Sequence, residues 1–277
     1  MTTSITVKGL SLSVPNFVQQ THGNSGLLRE VLAEAFVRTR REYRTILNQL
    51  NFRFDEGDRV ALLGRNGAGK TTLLRVLSGA FLPTTGVLEV NGSRQALLNL
   101  GLGFNNNATV RENIYLRAAA MGLKLSTMRD MVDPILDFAG LKEVAQHRLM
   151  TLSSGQRMRL GFAISTSVQH DIMLMDEWFG AGDAAFVAKA QARLTDRVEG
   201  CKIMVLASHN LQMIRKICSL GLVLDEGGQV FMGPVEDAIK AYKSIYQSLP
   251  GYVPRVKPKR MPRKKGALTA IVEDGKA

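Results

Sequence analysis

Gly64-Arg65-Asn66-Gly67-Ala68-Gly69-Lys70-Thr71 spaces its residues as G-x-x-x-x-G-K-T, a combination suited to phosphate chemistry. Glycines let a loop turn its N–H groups onto phosphate oxygens, and a helix that follows adds positive potential at its N-terminus. Lys70 is accordingly assigned to the β- and γ-phosphates of a nucleotide and Thr71 to Mg²⁺, with Arg65, Asn66, Ala68 and Thr72 completing the binding set. Further along, the apolar run Ile172-Met173-Leu174-Met175 ends in Asp176-Glu177. A carboxylate at a strand end suits a Mg²⁺-bound water, and its neighbour suits a base or water-orienting group for hydrolysis. Between the two lies Leu152-Ser153-Ser154-Gly155-Gln156, which taken alone reads as a turn and helix N-cap.

These groups need elements to carry them. A strand at 59–63 leads into the glycine loop and a helix leaves from Gly69. An amphipathic helix follows Gln156, and further strands are expected near 172–175, 202–207 and 220–225. That alternation predicts an α/β fold with a largely parallel central sheet. Residues 27–44, LLREVLAEAFVRTRREYR, carry apolar positions at helical spacing and predict an amphipathic helix with a basic end. Cys201 and Cys218, expected in a buried strand and a helix, are too few for a disulfide framework and read as small apolar fillers.

Composition narrows the class. The 277 residues are long enough to bury a substantial core, and the formal charge of +12 invites nucleic acid, anionic lipid or phosphorylated ligands as partners. Half of that charge lies in residues 248–277, which hold eight basic and two acidic side chains and four of the eight prolines. Proline every fourth residue prevents a helix and like charges repel, so the tail is expected to be extended and largely disordered. The N-terminus lacks the apolar run of a signal peptide, and no stretch approaches the roughly 18 apolar residues of a membrane span. The expectation is a cytosolic chain that reaches a membrane through a partner.

In order along the chain, GRNGAGKTT, LSSGQ, IMLMDE and Ser208-His209 resemble the nucleotide-binding domain of ABC transporters. The resemblance implies a P-loop NTPase fold with a mostly parallel central sheet, an antiparallel β subdomain and an α-helical subdomain at about 108–165. It implies ATP and Mg²⁺ as cofactors and two copies packed head to tail. Ser153, Ser154, Gly155 and Gln156 would then act on the partner copy's nucleotide, Glu177 and His209 would be catalytic, and Asp183 would be the D-loop aspartate. Ser154 stands where the family has a glycine. Tyr43 would stack on adenine, although RTRREYR also reads as a helix end. Asn105, within Asn105-Asn106-Asn107, is the nearest counterpart of the family's Mg²⁺-contacting Q-loop glutamine.

The inserted basic helix, Gly101-Leu102-Gly103-Phe104 leading into Thr109-Val110-Arg111-Glu112-Asn113, and Gly180-Ala181-Gly182-Asp183 are similar to a branch of this family, the ATP-binding subunits of bacterial polysaccharide exporters. That branch implies residues 1–247 as one nucleotide-binding domain followed by the tail. Its work is export of a polysaccharide or lipid-linked glycan through a transmembrane permease, with the chain peripheral at the cytoplasmic face of the inner membrane. The tail could also touch anionic lipid. The alternative, a soluble ABC-type ATPase acting on nucleic acid, draws on the basic charge; no specific nucleic acid is expected under the leading reading.

Overall fold

The computed structural model describes residues 2–18, 40–98, 103–177 and 184–247. Within them nine strands form one sheet in the order β4-β1-β2-β9-β8-β3-β7-β6-β5, where β1 is Ser4–Val18, β2 Arg40–Asp55, β3 Arg59–Gly64, β4 Thr85–Asn91, β5 Arg94–Leu97, β6 Ile172–Asp176, β7 Ile203–Ala207, β8 Leu220–Asp225 and β9 Gly228–Pro234. The run β8-β3-β7-β6-β5 is parallel, whereas β4-β1-β2 is antiparallel and joins the rest through a single bridge, Asn48 to Gly228. The helices are α1 (Lys70–Ser78), α2 (Val110–Ala120), α3 (Leu125–Ala139), α4 (Ser154–Ser165), α5 (Ala184–Gly200), α6 (Leu211–Ile217) and α7 (Val235–Gln247). The mixed α/β fold with an antiparallel flank is the expected one.

Parallel strands covered on both faces read as continuous apolar runs, and these do. Successive residues alternate between two cores. Val60, Leu62, Leu174, Val205 and Leu222 face α1 and the antiparallel flank, while Ala61, Leu63, Met173, Met175, Leu206 and Val223 face the other helices. Because all the parallel strands run one way, Gly64, Asp176, Ala207 and Leu224 end at the same edge, Asp176 level with Ala207 and, two residues further along, Gly64 level with Leu224. Functional groups at these termini are therefore assembled by the sheet itself.

Two expectations change. Residues 40–44 are not the end of a helix but the start of β2, paired with Val18 through Val14 of β1. The ladder to a 15-residue partner strand satisfies their backbone groups and overrides the helical preference of an Arg- and Glu-rich run. Residues 27–39 lie outside the described residues, as does the tail 248–277. The cysteines are both buried, but at element boundaries, Cys201 between α5 and β7 and Cys218 capping α6.

Candidate functional site

A cleft of about 890 Å³ opens at the strand-end edge, lined among others by Asn66, Gly67, Gly69, Lys70, Thr71, Thr72, Asp176, Glu177 and His209. β3 delivers the loop and α1 departs from it. Gly69 caps α1 in a left-handed conformation, φ 98°, and a Cβ there would lie 2.8 Å from Leu47 Cδ2. Gly64 is equally confined, since its Cβ would meet the Leu224 carbonyl oxygen at 2.5 Å. Glycine at these positions is thus a packing requirement as well as a conformational one. Gly69 has no side chain to cap the helix, which leaves the first N–H groups of α1 available to an anion.

Lys70 Nζ donates to the carbonyl oxygens of Gly64 (2.6 Å) and Arg65 (2.9 Å), folding over the loop. Partial burial pulls its ammonium below the usual lysine range, and the carboxylates of Asp176 and Glu177 oppose that shift. Thr71 Oγ1 donates to Asp176 Oδ2 at 2.5 Å. This hydroxyl and carboxylate pair is hard, oxygen-only and small, the donor chemistry that suits Mg²⁺ shared with a nucleotide's phosphates. No cluster of three or more His, Cys, Asp or Glu able to hold a metal occurs among the described residues.

Glu177 follows Asp176 with φ 70°, a left-handed conformation that glutamate rarely takes. Its N–H donates to the Ala207 carbonyl at 2.7 Å. Its carboxylate accepts from Ser208 Oγ (2.9 Å) and from the His209 N–H (3.2 Å), with His209 Nε2 3.9 Å away. The β6–β7 register, Asp176 level with Ala207, is what brings these two chain segments together. Ser208, 3% exposed, emerges as a residue that orients Glu177, a role the sequence marked only by its place beside His209.

Other expected residues fall elsewhere. Ser153, Ser154, Gly155 and Gln156 begin α4 and do not line this cleft. Ser153 Oγ accepts from Gln156 N–H and Gln156 Oε1 accepts from Ser153 N–H, a reciprocal capping box. Asn105 Oδ1 accepts from the Asn107 N–H at 3.0 Å, a local turn, and Asn105 is not among the cleft's lining residues. An Asx turn of this kind ties the side chain to its own backbone. Tyr43 is 68% exposed and stands just before the lining, which Arg44, Thr45 and Ile46 of β2 provide, together with Glu226 from the β8–β9 turn. Those four were missed because only the contact between that turn and β2 puts them at the cleft. Asp183 lies outside the described residues.

A family model described as ABC transporter matches residues 47–180. The chain is 34% identical over 230 residues to the O-antigen export system ATP-binding protein RfbE of Yersinia enterocolitica, covering 81% of this chain and 95% of that one. It is 36% identical to RfbB of Myxococcus xanthus over 72% of this chain and 46% of that protein. To the teichoic acids export ATP-binding protein TagH of Bacillus anthracis it is 32% identical over 73% of this chain and 36% of that protein. It thus spans less than half the length of the last two. Among solved structures, an ATP-binding subunit of an ABC transporter superposes with TM-score 0.62 at 20% identity, covering 86% of this chain and 93% of that one. A dimeric ATP-binding cassette bound to ADP and Pi does so with TM-score 0.60 at 18% identity, over 83% and 98% of the two chains. At those identities the likeness is one of fold.

Proposed function

Because the chain belongs to the ABC transporter family, we propose that it is the ATP-binding, ATP-hydrolysing subunit of an exporter of a polysaccharide or lipid-linked glycan. The names of its relatives, O-antigen and teichoic-acid export proteins, support the cargo class. In this reading two copies close head to tail on ATP and a transmembrane subunit follows their movement. Attachment to the membrane would, in the same reading, run through that partner; among the described residues no helix is long and apolar enough to cross a membrane. The relatives lend no support to the nucleic-acid alternative.

One observation carries the hydrolytic role: Glu177, one residue past the Asp176–Thr71 pair, is held by Ser208 Oγ and the His209 N–H. A carboxylate fixed at that point can accept a proton from a water attacking the terminal phosphate, and His209 stands beside it to stabilise the developing charge. The loop N–H groups and Lys70 neutralise phosphate charge. Thr71 and Asp176 would hold Mg²⁺, which when bound draws charge from the phosphate oxygens. The signature residues 153–156 would serve the nucleotide of the other copy, in keeping with their place outside this chain's own cleft.

The test is Glu177→Gln. ATP affinity is expected to stay within about threefold while steady-state turnover falls at least about a hundredfold, the scale of a lost general base, and the chain should accumulate as an ATP-bound dimer. Undiminished turnover would remove the assignment. Co-purification from membranes should bring down a multi-helix membrane subunit.

A further inference from the structure

Arg157 occupies the first turn of α4, where a cation opposes the helix dipole and where no acidic residue offsets it. Local helix stability therefore gives no reason for it. Its guanidinium instead turns back over the residues that lead into the signature, with Nε donating to the Leu152 carbonyl (3.1 Å) and Nη2 to the Met150 carbonyl (2.9 Å). A third, long contact of 3.5 Å runs from Nη1 to Asn106 Oδ1.

Met150 is also tied the other way. Its N–H donates to the Asn106 carbonyl at 3.1 Å, and the Leu149 N–H donates to the Ala108 carbonyl at 2.9 Å. The segment so engaged, 105–109, is held from its opposite side by Asn113 of α2, which is fully buried. Asn113 Oδ1 accepts from the Asn105 N–H (2.8 Å), and Nδ2 donates to the carbonyls of Asn105 (2.9 Å) and Thr109 (2.8 Å). An unbroken series of hydrogen bonds thus runs from α2, through 105–109 and 149–152, to Arg157 and α4.

We propose that Arg157 is a positioning residue that fastens the signature turn 153–156 to segment 105–109, so that a displacement of α2 reaches the surface offered to a second copy's nucleotide. The proposal rests on the reading that 153–156 act on the other copy's nucleotide. It assigns the asparagine run a mechanical task at Asn106.

The experiment measures ATP-driven dimerisation by light scattering in the Glu177→Gln background, and ATP affinity of the separate chain. Arg157→Ala is expected to raise the protein concentration needed for half dimerisation at least tenfold while ATP affinity changes less than twofold. Arg157→Lys, which keeps the charge but cannot bridge two carbonyls with a planar fork, is expected to fall between the two. Hydrogen exchange at 105–109 should respond to ATP in the parent and lose that response in Arg157→Ala. Unchanged dimerisation by Arg157→Ala, with Gly155→Asp abolishing it, would overturn the proposal and leave the reading of the signature intact. Dimerisation that survives Gly155→Asp would overturn that reading. If Arg157→Ala does not fold, Arg157→Lys and Asn106→Ala carry the test, and parent-like dimerisation in both overturns the proposal.

Discussion

Two glycines, Gly69 and Gly155, differ in what surrounds them, and the difference separates a fold requirement from a proposed ligand contact. Gly69 is left-handed and closely packed, so Gly69→Ala should destabilise the chain by about 2 kcal/mol from backbone strain alone and weaken ATP binding as well. Gly155 is different: a Cβ there would find nothing nearer than Ser153 Oγ at 4.0 Å. Gly155→Ala is therefore expected to leave urea stability unchanged or raise it by up to about 1 kcal/mol, as replacing helical glycine does, while ATP turnover falls. Equal losses of stability in both variants would contradict the assignment of Gly155 to an external ligand. The cysteines supply a residue-scale control. Burial pushes the Cys218 thiol up to about 12, so it carries almost no thiolate at pH 8, and burial raises Cys201 above its usual value as well. Native protein should resist alkylation by iodoacetamide at that pH, with both thiols reacting once denatured, as a mass-spectrometric count would show.

Among elements, α2 depends on one buried amide. Asn113→Ala removes the groups that satisfy segment 105–109 and is expected to cost about 2 kcal/mol in urea unfolding. Asn113→Asp should cost more, because a carboxylate would face the carbonyls of Asn105 and Thr109 where donors are needed. Stability equal to the parent in both would show the amide to be dispensable. Element identity was largely legible: the strand before Gly64, the helix after Gly69 and the strand ending at Asp176 followed from period and turn chemistry. The start of β2 was not, since Arg40-Arg41-Glu42-Tyr43-Arg44 has the composition of a helix and becomes strand only because β1 extends far enough to pair with it. The turn at Asn105 was not legible either. Its type matched a metal contact, but the Asx turn onto Asn107 competes locally for the same oxygen.

For the whole molecule, the charge of +12 is unevenly distributed, with half of it in residues 248–277. If that tail meets anionic lipid at about 1 kcal/mol per basic residue near the surface, full-length protein should float with phosphatidylserine-containing liposomes at low salt. A chain ending at Gln247 should not, and equal flotation of the two would exclude the tail as a contact. The amino-acid sequence by itself determined the phosphate loop, the carboxylate pair, the signature and the alternation of strands and helices. Each of these is written in contiguous residues whose types act through local geometry. Only the tertiary structure decided that Thr71 meets Asp176, that Ser208 and the His209 N–H hold Glu177, and that Arg44, Thr45, Ile46 and Glu226 join the lining of the cleft. Those pairings depend on strand order and register, which are set by long-range packing between residues that are distant in the chain and carry no local mark of one another.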